Sequence, residues 1–360
     1  MKNIVDKENC ICINPFTYCE IHLNGEVYPC CPAWCNYYSF GNVFTTPFDK
    51  IWNGEKAVYF RKKMIENDFS FCNRNLCTYS SGCSEKDTLN KLKEKYKDNL
   101  DKVEIDSIKM CWEKECNVAC ITCRNSIIRN SPEDLKRCEQ IKRNLLPYLD
   151  SLKIFYCSGS GDPLASTYCR DLIKELASIN KEVKFGLHTN GILATEEMLE
   201  KLGIKDRIFS FEISVHATTK ETYDKIVKYG NFDRVIENIK NIHKYYKGSL
   251  KDLFVLTFVI TDYNYKEIPD FIKFAKSVNA KVCFYYFRYW GTEFGRGEKI
   301  NEIAVWQPEH PEFNEFLKII NSPTVRNCNC YRHADFANLI QKSPKNGLLN
   351  KIITFLKRIF

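Results

Sequence analysis

The sequence predicts an α/β protein, an open or incomplete (β/α)6 barrel preceded by a small cysteine-rich module. Three observations predict it. From about residue 103, short apolar runs alternate with helical periods. Nine of the 19 cysteines crowd into residues 10–83. Between these regions runs a charged stretch, residues 85–102 (EKDTLNKLKEKYKDNLDK), with few side chains able to support a core. The chain thus divides into a cysteine-rich module over 1–84, a partly helical linker over 85–102, a barrel over 103–300 and a C-terminal extension over 301–360.

The strand runs fall at 106–112, 152–157, 183–189, 209–216, 254–260 and 282–287, each rich in Ile, Val, Phe or Tyr. Helical periods separate them. Leu135, Cys138, Ile141, Leu145 and Leu149 recur every three or four residues, and so do Phe232, Val235, Ile236, Ile239 and Ile242. Ser131-Pro132 supplies a helix start for the first of these. Six strands with helices between them imply parallel pairing through right-handed crossovers. In such folds ligands bind at the carboxyl ends of the strands.

Composition narrows the function. The net charge is +8 with Lys and Glu interspersed, which reads as a solvated surface. No dense basic run carries interleaved aromatics, so no nucleic-acid partner is expected. No 18-residue apolar run exists to span a membrane. The first twelve residues carry Lys2, Asp6, Lys7 and Glu8 and do not read as a secretion signal. The expected compartment is the cytoplasm, where thiols stay reduced. There, 19 cysteines read as ligands for metal or clusters rather than as disulfides. The segment Gly347–Phe360 is amphipathic, with Leu349, Ile352, Ile353, Leu356 and Ile359 on one face. Two readings stay open for it: packing on the barrel or a partner, and weak contact with an anionic membrane surface.

The chemistry concentrates at Cys116-Asn-Val-Ala-Cys120-Ile-Thr-Cys123, directly after the first strand of the barrel. Three thiolates at C-x3-C-x2-C spacing can hold three irons of a 4Fe–4S cube, which leaves the fourth open. An open position is what distinguishes a catalytic metal site from a structural one. A zinc knuckle is the alternative, but no His falls inside the loop. The triplet, together with motifs at the ends of the next three strands, resembles the radical S-adenosylmethionine (radical SAM) superfamily. That resemblance implies a 4Fe–4S cluster on Cys116, Cys120 and Cys123, S-adenosylmethionine on the open iron, and a 5′-deoxyadenosyl radical that takes hydrogen from a substrate.

Those motifs carry the resemblance over about residues 105–300. Ser160-Gly161-Asp162-Pro163, after the second strand, looks like the family's Gly-Gly-Glu-Pro segment, with Ser and Asp in place of Gly and Glu. Small residues there let the backbone approach a ligand. Thr189-Asn190-Gly191 comes after the third strand, and Ser214-Val215-His216 ends the fourth. The resemblance implies that Ser160, Gly161, Asp162, Pro163, Asn190 and Ser214 contact S-adenosylmethionine. Two departures stand out. Thr122 replaces a residue that is often aromatic, and Val227 stands where relatives often carry Arg, with Lys228 beside it. Taken singly, Asp162-Pro163 and Asn190-Gly191 are ordinary turn pairs, and Ser214 and His216 ordinary core polar groups.

In the N-terminal module, Asn24-Gly25 reads as a hairpin turn between 18–23 and 27–30. A hairpin with a Cys on each side brings two thiolates together, and Cys72, Cys77 and Cys83 come later on a turn-rich stretch. The module resembles the SPASM/twitch auxiliary-cluster domain, including Gly41-Asn42-Val43 and Ile51-Trp52-Asn53. In relatives that domain comes after the radical core; here it precedes it. The resemblance implies one auxiliary cluster on Cys12, Cys30, Cys72 and Cys77, with Cys83 as the replacement for one of the last two. A four-cysteine zinc site stays open, as does a ligand from Cys328 or Cys330. Cys10, Cys19, Cys31 and Cys35 receive no role.

The function these readings imply is a radical SAM enzyme acting on a peptide, protein or sugar-type substrate, with the auxiliary cluster in electron transfer. An electron donor such as flavodoxin or ferredoxin is the implied partner. The competing reading is a zinc- or cluster-binding module without catalysis. No general acid or base stands out. The aromatic run 284–290 (FYYFRYW) offers stacking surface, with alternate positions expected in the core.

Overall fold

The computed structural model describes residues 12–73, 76–77, 86–96, 98–157, 160–250, 253–288 and 300–340. Cys83, Tyr289, Trp290 and the Gly347–Phe360 segment lie outside the described residues. Twelve strands are present in these: β1 (Tyr18–His22), β2 (Glu26–Tyr28), β3 (Gly41–Asn42), β4 (Ser107–Cys111), β5 (Ala119–Cys120), β6 (Ile154–Cys157), β7 (Lys184–Thr189), β8 (Ile208–Ser214), β9 (Val227–Lys228), β10 (Phe254–Ile260), β11 (Lys281–Tyr286) and β12 (Tyr331–Ala334).

Ten of them form one sheet in the order β12-β11-β10-β8-β7-β6-β4-β1-β2-β3. The six expected runs became β4, β6, β7, β8, β10 and β11, neighbours in chain order and parallel throughout. That is the outcome right-handed crossovers require. The sheet ends at β12 and β3 without closing, so the barrel is partial.

The two faces of the sheet differ. Ile108, Met110, Phe155, Cys157, Phe185, Leu187, Phe211, Ile213, Leu256 and Phe284 are all buried. A fully buried Leu, Ile or Phe side chain contributes about 1.5–3 kcal/mol, so this face, under the helices, supplies much of the apolar stabilisation. Alternate residues point to the other, inner face. There cross-strand register sets Glu20 beside Lys109, Lys109 beside Tyr156, His22 beside Cys111, and His188 beside Glu212.

The helices start where side chains can cap them. Ser131 and Asp134 form a reciprocal capping box at Pro132–Leu149. Ser166, Thr195, Thr219 and Asn231 each cap a later helix. In the first helix Cys138, Ile141, Leu145 and Leu149 are buried as their spacing predicts, whereas Leu135 is exposed in the opening turn.

The N-terminal module is built into the sheet. Asn24-Gly25 does make the hairpin: Gly25 has φ +83°, and a Cβ there would lie 2.5 Å from Asn42 Oδ1. β1 then pairs in parallel with β4 along all five residues. Trp52 Nε1 donates to the Val103 carbonyl (2.9 Å), and Val103 N donates to Asn53 Oδ1 (2.9 Å). Buried Arg61 donates to the carbonyls of Pro15 and Leu100 and lies over the Trp52 ring. The Ile51-Trp52-Asn53 stretch thus holds the chain entering β4 against the hairpin. The charged stretch contains a helix, Lys86–Tyr96, whose Tyr96 stacks on Phe16 at 5.3 Å. No helix among the described residues is long and apolar enough to cross a membrane.

Candidate active site and auxiliary thiol group

The loop after β4 carries the cysteine triplet, and backbone bonds fix it at several points. Cys116 N donates to Ile128 O (3.2 Å), and Ile121 N to Ile226 O (2.9 Å). β5 pairs with β9, which sets Cys120 opposite Val227 and Ala119 opposite Lys228. Cys123 N and Arg124 N both donate to the Cys120 carbonyl, closing a tight turn. Burial pushes the Cys116 thiol up to about 11. It pushes Cys120 well above the ordinary thiol range, with Cys123 and Cys116 adding to the effect. Thiols whose ionisation is opposed by burial and by one another suit a positively charged metal group, which removes that opposition when it binds.

Arg124 supplies part of the missing positive charge. Its Nε donates to Cys123 Sγ (3.4 Å), one Nη donates to Lys114 O (2.9 Å), and the other donates to the Ser160 carbonyl. Burial works against its charge, yet Cys123 and Cys116 hold its pKa above the usual value. Sequence reasoning missed this residue. The signal was its position, a cation adjacent to the third cysteine.

The second and third motifs converge on the same loop. Asp162 N donates to Glu115 O (2.8 Å). The Asp162 carboxylate accepts four bonds: from Thr189 Oγ1 (2.8 Å) and Asn190 N (2.7 Å) on one oxygen, and from Leu164 N (3.0 Å) and Ala165 N (3.1 Å) on the other. Four acceptor sites are thereby filled, and the carboxylate joins the Ser160–Pro163 segment to the turn after β7. Asn190 Nδ2 reaches Cys116 Sγ (3.7 Å) and Asn117 Oδ1 (2.8 Å). Asn238, on the helix Phe232–Tyr246, donates to the carbonyls of Gly191 and Ile192 and holds this turn from behind. Gly161 has a reason the sequence reading did not supply. A Cβ there would meet Glu115 O at 2.5 Å and Glu113 Oε2 at 2.7 Å, so its close approach is to the cysteine loop.

Ser214 lies at the carboxyl end of β8, bonded to His188 Nε2 (2.9 Å) and Thr257 Oγ1 (3.0 Å). His216 is left-handed (φ +65°), and its Nδ1 accepts from Val259 N (3.0 Å). Burial lowers its pKa to about 4, which keeps the ring a neutral acceptor in the core. In the aromatic run, Phe284 packs with Phe258 and Phe271, while Tyr285 stacks on His333 and Tyr286 on Trp306.

A second thiol group forms at the other end of the β1–β4 pair. β2 runs antiparallel to β1, so Cys30 emerges beside the amino end of β1, where Cys12 also lies. Burial pushes Cys12 up to about 12, with Cys77 adding to it. A hydrogen bond with Cys35 raises Cys30, as do burial and the neighbouring Cys12. Cys72 and Cys77 share a loop that Asn73 N ties to the Trp34 carbonyl (2.8 Å). Cys12, Cys30 and Cys77 are therefore neighbours, and Cys35, left unassigned by the sequence reading, is bonded to one of them. The missed signal is spacing: Cys30–Cys35 and Cys72–Cys77 are both C-x4-C. Cys328 and Cys330 sit side by side (Sγ to Sγ 2.8 Å) just before β12, at the opposite end of the sheet order from β1–β3.

Comparison with known proteins identifies two domains in the chain. Residues 114–275 match the Radical SAM superfamily, and residues 10–84 match the SPASM iron–sulfur cluster-binding domain. The probable GTP 3′,8-cyclase of Methanocaldococcus jannaschii is 29% identical over 183 residues, covering 49% of this chain and 57% of that one. A GTP 3′,8-cyclase of Clostridium perfringens is 27% identical over 179 residues, 48% of this chain and 52% of its own. The tungsten-containing aldehyde ferredoxin oxidoreductase cofactor-modifying protein of Pyrococcus furiosus is 29% identical over 128 residues, 34% of each chain. The chain thus spans about half the length of the first two relatives and a third of the last. A solved structure of TYW1 with a lysine–pyruvate adduct bound covers 60% of this chain and 73% of its own, with 17% identity and a TM-score of 0.36. The chain therefore carries a Radical SAM superfamily domain over residues 114–275, which implies a 4Fe–4S cluster and S-adenosylmethionine, and a SPASM iron–sulfur cluster-binding domain ahead of it over residues 10–84.

Proposed function

We propose that this enzyme cleaves S-adenosylmethionine reductively and takes a hydrogen atom from a peptide, protein or sugar-type substrate on the inner face of the barrel. The observation that carries the reading is the placement of two thiol groups at opposite ends of β1 and β4, with a polar inner face between them. Five residues of strand span about 17 Å at ~3.3 Å each. That face offers Glu20, Lys109, His188, Glu212 and Ser214, which suits a substrate carrying hydrogen-bonding groups along its length.

Cys116, Cys120 and Cys123 hold the first cluster, and Cys12, Cys30, Cys72 and Cys77 the auxiliary one. A cluster bound there would supply the one electron that splits the sulfonium C–S bond into methionine and the 5′-deoxyadenosyl radical. The chain's own residues position and shield. Asp162 fixes the Ser160–Pro163 segment against the Asn190 turn, so that the backbone of Ser160 and Gly161, with Pro163, Asn190 and Ser214, lines the S-adenosylmethionine site. Arg124 offsets the thiolate charge. Held at Cys12, Cys30, Cys72 and Cys77, the auxiliary cluster would supply an acceptor for the electron left on the substrate after hydrogen transfer, which favours a net oxidation. The module at 1–84 serves that step and the barrel at 103–300 the first, with 85–102 joining them and 301–360 extending the barrel. A flavodoxin- or ferredoxin-type donor in a reducing cytoplasm supplies the starting electron.

The test is 5′-deoxyadenosine production by anaerobically reconstituted protein with a reductant. Production is expected, and should vanish in the Cys116→Ala, Cys120→Ala, Cys123→Ala triple variant. No product from iron-replete protein, with or without peptide and sugar substrates, would overturn the reading.

A further inference from the structure

On the inner face below the cysteine loop, β1 and β4 bring Glu20, His22 and Cys111 together. One ligand atom from each lies within 4.8 Å of the other two. The two oxygens of Glu20 have different surroundings. Oε1 accepts from Tyr18 OH (2.7 Å) and pairs with Lys109 Nζ (3.3 Å). Oε2 instead faces His22 Nε2 at 3.6 Å and Cys111 Sγ at 3.8 Å. Nε2 of His22 is buried with no hydrogen-bond partner among the described residues. A buried imidazole nitrogen at such a distance is costly to leave unsatisfied.

These spacings suit a small cation better than a hydrogen-bond network. Donors at ~2.0–2.3 Å from a tetrahedral zinc stand roughly 3.3–3.7 Å from one another. The distances from Oε2 to His22 and to Cys111 fall in or just beyond that range. A carboxylate, an imidazole and a thiol are all zinc ligands. We infer that Glu20, His22 and Cys111 form a binding site for a divalent cation of zinc type, separate from both iron–sulfur clusters, with its fourth position open to the inner face. Tyr18 and Lys109 hold Oε1 and so aim Oε2 at the cation, the role that outer partners play at metal centres. Binding releases the Cys111 proton to solvent, because a coordinating thiol is deprotonated by the metal. Glu20, thiolate Cys111, Lys109 and the cation then sum to one positive charge. The open position therefore favours an oxygen donor such as a carbonyl or carboxylate. Such a group on the substrate would be oriented under the radical site, a corollary that rests on the function proposed above; the cation site itself does not.

The experiment uses holoenzyme reconstituted with iron and sulfide, equilibrated with zinc and desalted, with zinc and iron counted per chain. About one zinc is expected with the iron count unchanged, and the zinc X-ray absorption edge should report one sulfur with nitrogen and oxygen neighbours. His22→Ala and Glu20→Gln should lose the zinc and keep the iron. Tyr18→Phe should weaken binding by about 10–100-fold. Cys31→Ala, at a neighbouring thiol that acts electrostatically on Cys111, should bind as the parent does. No zinc on iron-replete parent protein, retention by His22→Ala or Glu20→Gln, loss in Cys31→Ala, or a shell of sulfur alone would each overturn the site. Since the readout is metal content, its failure is distinct from a failure to cleave S-adenosylmethionine.

Discussion

The two thiol groups lie at opposite ends of the same strand pair and are assembled differently. At the carboxyl end, three cysteines within eight residues sit on one loop, held by backbone bonds to Ile128, Ile226 and β9 and neutralised in part by Arg124. At the amino end, the thiols come from segments far apart in sequence, and burial and neighbouring thiols set the ionisation of Cys12 and Cys30. The first group is a local object whose precision comes from rigid neighbours. The second exists only once the hairpin, the 31–37 turn and the 69–77 loop have docked. The first should therefore be intolerant of small steric changes, and the second should depend on which of its neighbouring thiols serve as ligands.

The sharpest way to break this contrast is Gly161→Ala. A Cβ at 2.5 Å from a backbone carbonyl cannot be relieved by rotating a side chain, so the cysteine loop must shift away from the Ser160–Pro163 segment. Misplacement of about 1 Å can cost ~100-fold in rate. A loss of at least that size in 5′-deoxyadenosine formation is expected, with the auxiliary iron retained. Activity within threefold of the parent would show the loop to be more compliant than its bonds suggest.

At the amino end the corresponding comparison is Cys72→Ala against Cys35→Ala. With Cys12, Cys30, Cys72 and Cys77 as the ligands, Cys72→Ala should lose the auxiliary cluster, about four irons per chain. Cys35→Ala should keep them and change only the environment of Cys30, to which Cys35 is bonded. Iron and sulfide counts, with Mössbauer spectra, decide it. The reverse pattern would place Cys35 in the ligand set and Cys72 outside.

The same contrast explains what the sequence made legible. The six barrel strands were readable because each is a short apolar run between helical periods, and the triplet because its spacing is compact. The Asn24-Gly25 hairpin was readable from its turn residues. The pairing of β1 with β4 was not, because residues 18–22 and 107–111 carry no local sign that they are partners. Everything that depends on that register stayed hidden: the meeting of Glu20, His22 and Cys111, and the pairing of buried Glu20 with half-buried Lys109. The proximity of Cys35 to Cys30 was hidden for a related reason, since it needs the fold of the 31–37 turn. Asp162 was found as a motif residue, but its four bonds to the chain become visible only when β6 and β7 are side by side.

The smallest effect concerns the cation that the first group has beside it. Arg124 lowers the cost of negative charge on Cys116 and Cys120. With Cys116, Cys120 and Cys123 as the ligands, reduction adds one electron to the cluster they hold, so a fixed positive charge nearby favours the reduced state. Arg124→Gln should move the midpoint potential of the S-adenosylmethionine-site cluster to a more negative value by roughly 60 mV, about tenfold in the one-electron equilibrium. Arg124→Lys keeps the charge but loses the fork that reaches both Lys114 O and Ser160 O, and should restore part of the shift. An EPR-monitored redox titration reads both variants. The auxiliary cluster serves as the internal control, because its potential should be unmoved. A shift of both clusters together would mean that Arg124 acts on the fold as a whole rather than on the charge of one loop.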